Sequence, residues 1–286
     1  DVHEWSTEHD SIFFLETSGT GRLSARASCA VESAAKHHPE HAVRLLHDGG
    51  WSPWTSSPYL SVLGALPNVH VQRLRYEEFF QYSSLGLWLQ EKAYEQSRYK
   101  MVHLSDALRL GLLWMHGGIY LDLDVVVLVK LGAFVNSLVQ SMNDMVANGI
   151  LFFDRYHPFL GDCIRTLVSN YNPHVWGQNG PVLMRSVFLR WCNATIVEEM
   201  VGKSCKGVTL LPRRYFLPLN YSQHSKFFRD SDAEEVWNAS GDSHIVHVYG
   251  SNNADVIAEP RSVYATVARR HCPRTFALSM KLDGHI

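Results

Sequence analysis

The first feature that could support chemistry is a pair of aspartates, Asp122 and Asp124, in the segment Gly-Gly-Ile-Tyr-Leu-Asp-Leu-Asp-Val-Val-Val-Leu (117–128). Apolar residues flank the pair on both sides, and an ionised carboxylate in such surroundings is costly unless a cation or hydrogen bonds compensate its charge. Carboxylate oxygens are ligands that Mg²⁺ and Mn²⁺ favour, and these ions keep open positions for phosphate oxygens. The pair therefore predicts a site for a divalent metal and a nucleotide diphosphate.

Two other interpretations of an Asp-x-Asp pattern have to be weighed. A second such pair, Asp230 and Asp232, lies in a run of charged residues that favours a solvated turn or helix start. An apolar strand followed by Asp-x-Asp is also typical of haloacid-dehalogenase-type phosphatases, in which Asp122 would attack phosphorus. That chemistry needs another acid shortly after a Gly-Asp pair, whereas Gly241-Asp242 is followed by Ser-His-Ile-Val-His. The metal and diphosphate interpretation is therefore preferred.

The elements that must position the two acids alternate between strand and helix. Apolar, β-branched runs predict strands at 11–15, 42–47 and 69–74, with helices at 25–36 and 59–66 between them. A further helix is predicted over 105–115, with Ser105 as N-cap and Gly117 at its end, followed by a strand at 119–121. This order predicts a doubly wound, parallel α/β sheet that binds ligands at the carboxyl ends of its strands. In an extended chain Asp122 and Asp124 share one side, while Leu123 faces the core.

Length and composition predict one domain, because 286 residues of which 46% are hydrophobic can enclose one sizeable core. A formal net charge of −2 gives no general attraction to nucleic acid or to an anionic membrane. The longest aliphatic run, 125–129, is far shorter than the roughly 20 apolar residues of a membrane helix. We therefore expect no nucleic-acid partner and no membrane-spanning helix in this chain.

Cysteines and glycosylation sequons favour the secretory pathway. Five cysteines leave at least one thiol without an intramolecular partner. Cys192 and Cys205 bracket a short polar loop whose length suits a disulfide in an oxidising compartment, and two unpaired buried thiols are the alternative because spacing does not fix connectivity. Asn-x-Ser/Thr sequons occur at Asn193, Asn220 and Asn238.

Ser-Asp-Ala-Leu-Arg (105–109) followed by Gly-Gly-Ile-Tyr-Leu-Asp-Leu-Asp (117–124) resembles the α-1,4-galactosyltransferases that make globotriaosylceramide, together with their α-1,4-N-acetylglucosaminyltransferase relatives. The likeness covers nearly the whole chain, including Ile-Phe-Phe-Leu-Glu-Thr-Ser (12–18), Trp-Gly (176–177), Gly-Pro (180–181) and Cys-Lys-Gly-Val (205–208). It implies a GT-A type fold with a Rossmann-like, mainly parallel sheet in a single luminal catalytic domain. It also implies a Golgi type II membrane protein whose anchor and stem precede Asp1, and retaining transfer from a UDP-sugar that depends on Mn²⁺ or Mg²⁺.

The resemblance implies roles for individual residues. Asp122 is expected at the ribose and the metal, Asp124 as the principal metal ligand, and His247 as a late histidine that reaches the metal. A larger group is expected to bind the donor: Glu16, Thr17, Ser18, Asp106, Arg109, Tyr120, Asn148 and Gly149. The alternatives are structural, since His247 could be an ordinary core or surface histidine and Asp106 with Arg109 an ion pair one helical turn apart.

The segment Trp-Gly-Gln-Asn-Gly-Pro (176–181) predicts an acceptor site, because an aromatic wall and two amides suit a sugar that needs stacking and hydrogen bonds. The residues expected at the acceptor are Trp176, Gly177 and Gly180. The resembling family is expected to have Trp-Gly-His/Asn-Gln-Gly-Pro here, so either Gln178 or Asn179 would face the reacting carbon. A loop whose Pro181 merely begins the next helix is the alternative.

Retention of configuration allows two routes. A double displacement needs an enzyme nucleophile, for which Asp154 is the candidate unless it is a surface acid at a helix start. In same-face attack, which we favour, the leaving diphosphate accepts the proton of the acceptor hydroxyl.

The donor and acceptor remain open at this stage. We expect UDP-galactose and a lactosylceramide-like glycosphingolipid, whereas a pocket with room for an acetamido group would admit UDP-N-acetylgalactosamine or UDP-N-acetylglucosamine for a glycolipid or glycoprotein acceptor. A secretory glycan-binding protein without turnover is the remaining alternative, although such a protein has no need of a metal and diphosphate site. No oligomeric state is predicted.

Overall fold

A computed structural model of the chain describes residues 11–20, 22–49, 57–132 and 134–286, so Asp1 lies outside the described residues. The strands are β1 (Ser11–Glu16), β2 (Ala42–His47), β3 (Val69–Arg73), β4 (Gly118–Leu121), β5 (Val125–Val127), β6 (Ser137–Gln140), β7 (Val146–Phe153), β8 (Ser204–Cys205), β9 (Val208–Leu211) and β10 (Ile245–His247). The helices are α1 (Ala25–His37), α2 (Tyr59–Gly64), α3 (Tyr76–Phe79), α4 (Ser84–Gln90), α5 (Lys100–His116), α6 (Pro158–Ser169), α7 (Pro181–Cys192), α8 (Ala233–Ala239), α9 (Val263–His271) and α10 (Pro273–Leu282).

The central sheet has eight strands in the order β3-β2-β1-β4-β7-β6-β9-β8, and β5 pairs with β10 in a separate antiparallel ribbon. Within the eight-stranded sheet, β7 and β8 run opposite to the other strands. The strand order reverses between β1 and β4, because β2 lies on one side of β1 and β4 on the other. The carboxyl ends of β1 and β4 therefore open onto the same crevice, the usual ligand position in such sheets.

Side chains of β1 show how the sheet divides the core. Phe13 and Leu15 pack into the cluster that contains the buried residues of α5, α6 and α7. Ile12 and Phe14 point to the opposite face and pack with the buried residues of α1. Helices on both faces bury the sheet on both sides, which explains why these strands are continuous apolar runs rather than alternating ones.

The sequence-based elements are largely confirmed, including the mainly parallel sheet flanked by helices. One helix boundary is wrong: α5 begins at Lys100, and Ser105 lies inside the helix. The Ser105 hydroxyl accepts a hydrogen bond from Arg109 Nη2 at 2.8 Å instead of capping the helix. The true N-cap of α5, Tyr99, makes no side-chain capping hydrogen bond. The sequence therefore has no capping residue that would mark the start of this helix.

Two disulfides are present, one closing a short loop and one joining distant parts of the chain. The predicted pair, Cys192 and Cys205, is confirmed and is called here the short-loop disulfide. A second, unpredicted pair joins Cys29 in α1 to Cys272, 243 residues away, and is called the long-range disulfide. The remaining cysteine, Cys163, is a buried free thiol.

The surface positions of the three sequons differ. Asn193 and Asn238 are exposed, whereas Asn220 is half-buried and caps the short helical segment Tyr221–Phe228. Among the described residues, no helix combines the length and the apolar character that a membrane span requires.

Candidate active site

The segment after β4 is held between two neighbouring elements. The Asp122 backbone N–H donates to the Gly149 carbonyl of β7 at 2.9 Å. Two residues later, the Asp124 carbonyl accepts from the Val248 N–H, just after β10, at 2.9 Å. These anchors fix both aspartates at the carboxyl end of β4, with Leu123 partly buried against the core.

Asp122, Asp124 and His247 form a cluster in which one ligand atom from each residue lies within 4.8 Å of the others. His247 Nε2 is 3.3 Å from Asp124 Oδ1. That carboxylate oxygen is buried and makes no hydrogen bond within the described part of the chain. Two carboxylates and an imidazole, with one orphaned oxygen, fit a divalent cation such as Mn²⁺ or Mg²⁺. The structure thus brings together the three residues that the sequence predicted as metal ligands.

Backbone groups and glycines hold the acids of this cluster in place. The Gly250 N–H donates to Asp124 Oδ2 at 2.7 Å. A Cβ at Gly250 would lie 2.8 Å from Asp124 Cβ, and a Cβ at Gly149 would lie 2.3 Å from Asp122 Oδ2. Only glycine leaves room for the carboxylates at these two positions. Gly149 belongs to the pair Asn148 and Gly149 expected at the donor, whereas no local pattern marks Gly250, which reaches Asp124 only through the pairing of β10 with β5.

Tyr120 supports the cluster from inside the protein. Its side chain is buried, and its hydroxyl donates to Asp122 Oδ1 at 2.7 Å. Burial raises the pKa of Tyr120 well above its ordinary value, so the hydroxyl remains a donor. Tyr120 was expected at the donor, but its ring is buried and does not line the cleft, and its hydroxyl contacts Asp122 instead.

Arg109 is a buried cation that joins the cluster of Asp122, Asp124 and His247 to α5. Its Nη1 lies 3.1 Å from Asp122 Oδ1, and its Nη2 lies 3.4 Å from Asp106 Oδ1. The same guanidinium donates to the Asn148 carbonyl at 2.8 Å and to the Ser105 carbonyl at 3.1 Å. Burial by itself lowers the pKa of Arg109, but the nearby acids raise it overall, so the cation persists.

Asp106 shares this network and keeps one oxygen available. Asn148 Nδ2 donates to its Oδ1 at 2.7 Å, whereas its Oδ2 is buried without a hydrogen-bond partner among the described residues. A Cβ at Gly180 would lie 2.7 Å from that Oδ2. Burial raises the pKa of Asp106 to about 6, against the opposing effect of Arg109. Asp106, Arg109 and Asn148 therefore form one wall of the site beside Asp122.

The residues at the carboxyl end of β1 form another part of the cleft wall. Glu16 Oε1 accepts from the Ser18 N–H at 2.8 Å, and its Oε2 is buried with no partner in the described ranges. Thr17 Oγ1 donates to the Met101 carbonyl at 3.3 Å, which ties this end to the start of α5. Glu16, Thr17 and Ser18 all line the cleft, where we expected nucleotide contacts.

The residues predicted at the acceptor divide into two groups: Trp176 and Gly177 reach the cleft, whereas Gly180 is buried and does not line it. The Trp176 side chain is 52% exposed. Gln178 is half-buried and does not line the cleft among the described residues. Asn179 is turned away: its Nδ2 donates to the Asn172 carbonyl at 2.7 Å, and its Oδ1 accepts from the Asn172 N–H at 3.1 Å. Neither Gln178 nor Asn179 lines the cleft, so the structure does not bring to the site the amide that was expected to face the reacting carbon.

Asp154 is also misplaced by the sequence-based argument. Because β7 runs antiparallel to β4, Gly118 pairs with Phe153 and Leu121 with Ile150. Asp154 therefore lies at the amino end of β4, roughly 17 Å from Gly149 at about 3.3 Å per residue. Its carboxylate accepts from Asn136 Nδ2 at 2.7 Å in an exposed position. The structure does not bring Asp154 to the cluster of Asp122, Asp124 and His247.

The lining residues at the ends of β1 and β4, on α5 and in the segment 176–177 enclose one cleft of about 1490 Å³. That volume exceeds the usual 300–1,000 Å³ of a small-ligand site, which leaves room for two substrates side by side.

Comparisons with known proteins agree with this geometry. Residues 24–144 match the family model described as the glycosyltransferase sugar-binding region containing the DXD motif, and residues 152–279 match the alpha 1,4-glycosyltransferase conserved region. Lactosylceramide 4-alpha-galactosyltransferase of Rattus norvegicus is 37% identical over 278 residues, covering 95% of this chain and 77% of that protein. Alpha-1,4-N-acetylglucosaminyltransferase of Homo sapiens is 32% identical over 270 residues, covering 93% of this chain and 79% of that protein.

Among solved structures, the PaToxG glycosyltransferase superposes with a TM-score of 0.50 at 19% identity, covering 63% of this chain and 69% of that one. This likeness concerns the fold alone, and with the sugar-binding family match it confirms the expected GT-A architecture.

Proposed function

Since the chain belongs to the α-1,4-glycosyltransferase family of the lactosylceramide 4-alpha-galactosyltransferases, we propose that it transfers galactose from UDP-galactose, with retention, onto a terminal galactose in α-1,4 linkage. The proposed acceptor is a glycolipid such as lactosylceramide. The observation that carries the proposal is the convergence of Asp122, Asp124 and His247 at the carboxyl end of β4. A glycan-binding protein without turnover would not need this cluster.

The cluster is the proposed site of Mn²⁺, or of Mg²⁺, with Asp124 and His247 as principal ligands and Asp122 shared with the donor ribose. A divalent ion bound there would offset the charge that develops on the departing diphosphate. Glu16, Thr17 and Ser18 would contact the uracil and ribose, because they end the strand on the other side of the crevice. Arg109, Asp106 and Asn148 would hold the donor sugar through the wall that they form.

We propose same-face transfer. The acceptor hydroxyl oxygen bonds to the anomeric carbon on the face from which the diphosphate oxygen departs, and the hydroxyl proton passes to that diphosphate. Supporting this route, the carboxylate considered as a nucleophile, Asp154, lies at the opposite edge of the sheet. The residues of the cleft then bind and orient both substrates without forming a covalent intermediate.

A HexNAc donor is the second candidate, because alpha-1,4-N-acetylglucosaminyltransferase is 32% identical to this chain. UDP-N-acetylgalactosamine belongs to the same alternative, since it differs from UDP-galactose by one acetamido group that the pocket must accommodate. The acceptor in this case would be a glycolipid or a glycoprotein.

The proposed location is the Golgi lumen, behind an N-terminal anchor that precedes this sequence. Two disulfides favour an oxidising compartment, and exposed sequons at Asn193 and Asn238 are compatible with glycosylation there. Expression of the full-length protein in animal cells tests this proposal. We expect a Golgi pattern and a mobility shift after N-glycosidase treatment; a cytosolic, unmodified protein would contradict it.

The activity is tested with purified protein, Mn²⁺, a panel of UDP-hexoses, and lactose or lactosylceramide, with released UDP and linked product measured together. We expect UDP-galactose to support turnover that EDTA abolishes and Mn²⁺ restores. Asp124→Asn should lose this turnover, whereas Asp242→Asn, at an exposed aspartate, should retain it. Turnover with a UDP-HexNAc alone would favour the alternative donor. If no donor is turned over and none raises the melting temperature with Mn²⁺, the proposal is wrong.

A further inference from the structure

The connection between α6 and α7, residues 170–180, is called here the acceptor loop, because its Trp176 and Gly177 line the cleft. Exposed connections of this length are usually mobile and adapt to their ligands. This loop, however, carries a tryptophan that is 52% exposed at the cleft wall. A sugar can stack on an aromatic ring most effectively when the ring does not have to be ordered at the moment of binding.

A buried histidine on α5 holds the tip of this loop. His103 is 0% exposed. Its Nε2 lies 3.2 Å from the Val175 carbonyl oxygen and 3.3 Å from the Trp176 carbonyl oxygen, and its Nδ1 lies 3.1 Å from the Tyr171 hydroxyl. Carbonyl oxygens only accept hydrogen bonds, so Nε2 carries the proton and Nδ1 accepts from the tyrosine. Burial lowers the pKa of His103, which favours this neutral form.

The base of the loop is closed separately. Asn179 makes two hydrogen bonds with the backbone of Asn172, at 2.7 and 3.1 Å. Ser97 Oγ donates to the Pro173 carbonyl at 2.6 Å. Between these points the Val175 carbonyl also accepts from the Gln178 N–H at 3.3 Å. His103 is the buried side chain that ties the Val175–Trp176 backbone to α5.

We infer that His103 is a positioning residue for the acceptor: it orders the Val175–Trp176 backbone so that the Trp176 ring stands at the cleft wall before the acceptor arrives. This inference rests on the proposed function of the cleft. His103 lies on the same helix as Asp106 and Arg109, three and six residues before them. Because a continuous helix rises 1.5 Å per residue, α5 fixes the distance between the acceptor loop, which His103 contacts, and the residues Asp106 and Arg109 proposed to hold the donor.

The test compares His103→Leu with the wild-type protein in steady-state kinetics and in hydrogen exchange of the loop amides. Losing the histidine should raise the acceptor KM on the order of tenfold, since the loop must then be ordered during binding. The donor KM should change less than about twofold, and so should the rate at which UDP is released from the donor without acceptor. The reason is that Asp106, Arg109 and Asn148, which are proposed to hold the donor, do not contact His103. Amides of the acceptor loop should exchange faster than in the wild type.

The chain offers a matched control and a rescue. His38 is 1% exposed, and its ring likewise bonds on both sides, with Nδ1 3.0 Å from the Ala34 carbonyl and Nε2 accepting from the Leu131 N–H at 2.9 Å. His38→Leu should lower stability but leave the acceptor KM and the loop exchange unchanged. His103→Gln should recover most of the acceptor affinity, because a glutamine amide nitrogen can replace Nε2 as the donor.

The outcomes separate this inference from the proposed function. If the wild-type protein transfers no sugar, the proposed function fails, while the exchange comparison still decides whether His103 orders the loop. If His103→Leu leaves loop exchange unchanged, or loosens the loop without raising the acceptor KM of an active enzyme, the inference is overturned.

Discussion

Gly149→Ala provides a sharp test of the position of the Asp122 carboxylate. An added Cβ would lie 2.3 Å from Asp122 Oδ2 and 2.9 Å from its Cγ. The carboxylate would have to retreat by about 1 Å to reach ordinary van der Waals separation. Its other oxygen is held by the Tyr120 hydroxyl at 2.7 Å and by Arg109 Nη1 at 3.1 Å, which limits rotation in place. Gly149→Ala should therefore displace the acid rather than be absorbed by it.

The size of the expected loss of metal affinity follows from how little displacement of a ligand a metal site tolerates. Ligand positions must be kept within roughly 0.2 Å of their ideal distances. Disturbing the support of a ligand typically lowers metal affinity or activity by about 10- to 100-fold. We expect Gly149→Ala to raise the Mn²⁺ concentration needed for half-maximal UDP binding by this factor. The protein should still fold but with a lower melting temperature, because displacing Asp122 disturbs its contacts with Tyr120 and Arg109.

The assay is calorimetric titration of UDP at a series of Mn²⁺ concentrations, together with the initial rate as a function of Mn²⁺. Gly161→Ala in α6 is the matched control, since a Cβ there meets its nearest atom at 3.4 Å and should change neither quantity. Wild-type Mn²⁺ dependence in a folded Gly149→Ala protein would refute the placement of Asp122 in the metal site.

Three further outcomes are expected. Asp154→Asn should keep kcat/KM within about twofold of the wild type, because the residue lies far from the cluster; a large loss of activity would reinstate it as a catalytic candidate. Replacing both cysteines of the long-range disulfide with alanine should lower the free energy of unfolding by about 5 kcal/mol, against about 3 kcal/mol for the short-loop disulfide, because the longer loop leaves a freer unfolded chain. Urea unfolding of the two double variants measures the difference, and equal losses would contradict the loop-length argument. Burial lowers the pKa of His38 to about 4, so its contribution to stability is present above the unfolded pKa and is lost as pH falls. Between pH 7 and pH 5 this loss should be about 2 kcal/mol, and His38→Gln should flatten the pH dependence of urea unfolding in that range; an unchanged slope would show that His38 is not buried in its neutral form.

Local signals account for what could be predicted from the sequence. The strand that ends before Asp122, the glycine that ends α5 and the apolar runs of β1 and β2 all depend on neighbours close along the chain, and the structure confirms them. The start of α5 was missed because Tyr99 provides no capping side chain there, and the buried side chains of the helix begin only at His103 and Leu104.

Long-range pairings account for what the sequence could not provide. Asp154 follows the segment 148–153 closely, yet the antiparallel direction of β7 carries it to the far edge of the sheet. The long-range disulfide joins residues 243 positions apart, and no spacing rule reaches that far. Gly250 belongs to the site because β10 pairs with β5 beside Asp124, and no local pattern indicates that pairing. No motif marked His103 in the sequence, because its partners are backbone carbonyls of a loop some seventy residues later.

The central claim is that a divalent ion at the end of β4 serves the diphosphate of a UDP-sugar. A crystal structure of the protein with UDP and Mn²⁺, with data collected at the manganese absorption edge, tests it most directly. We expect one anomalous peak within coordination distance of Asp124 and His247 Nε2 that also contacts the diphosphate oxygens. A manganese peak elsewhere, or UDP bound away from the carboxyl end of β4, would contradict it.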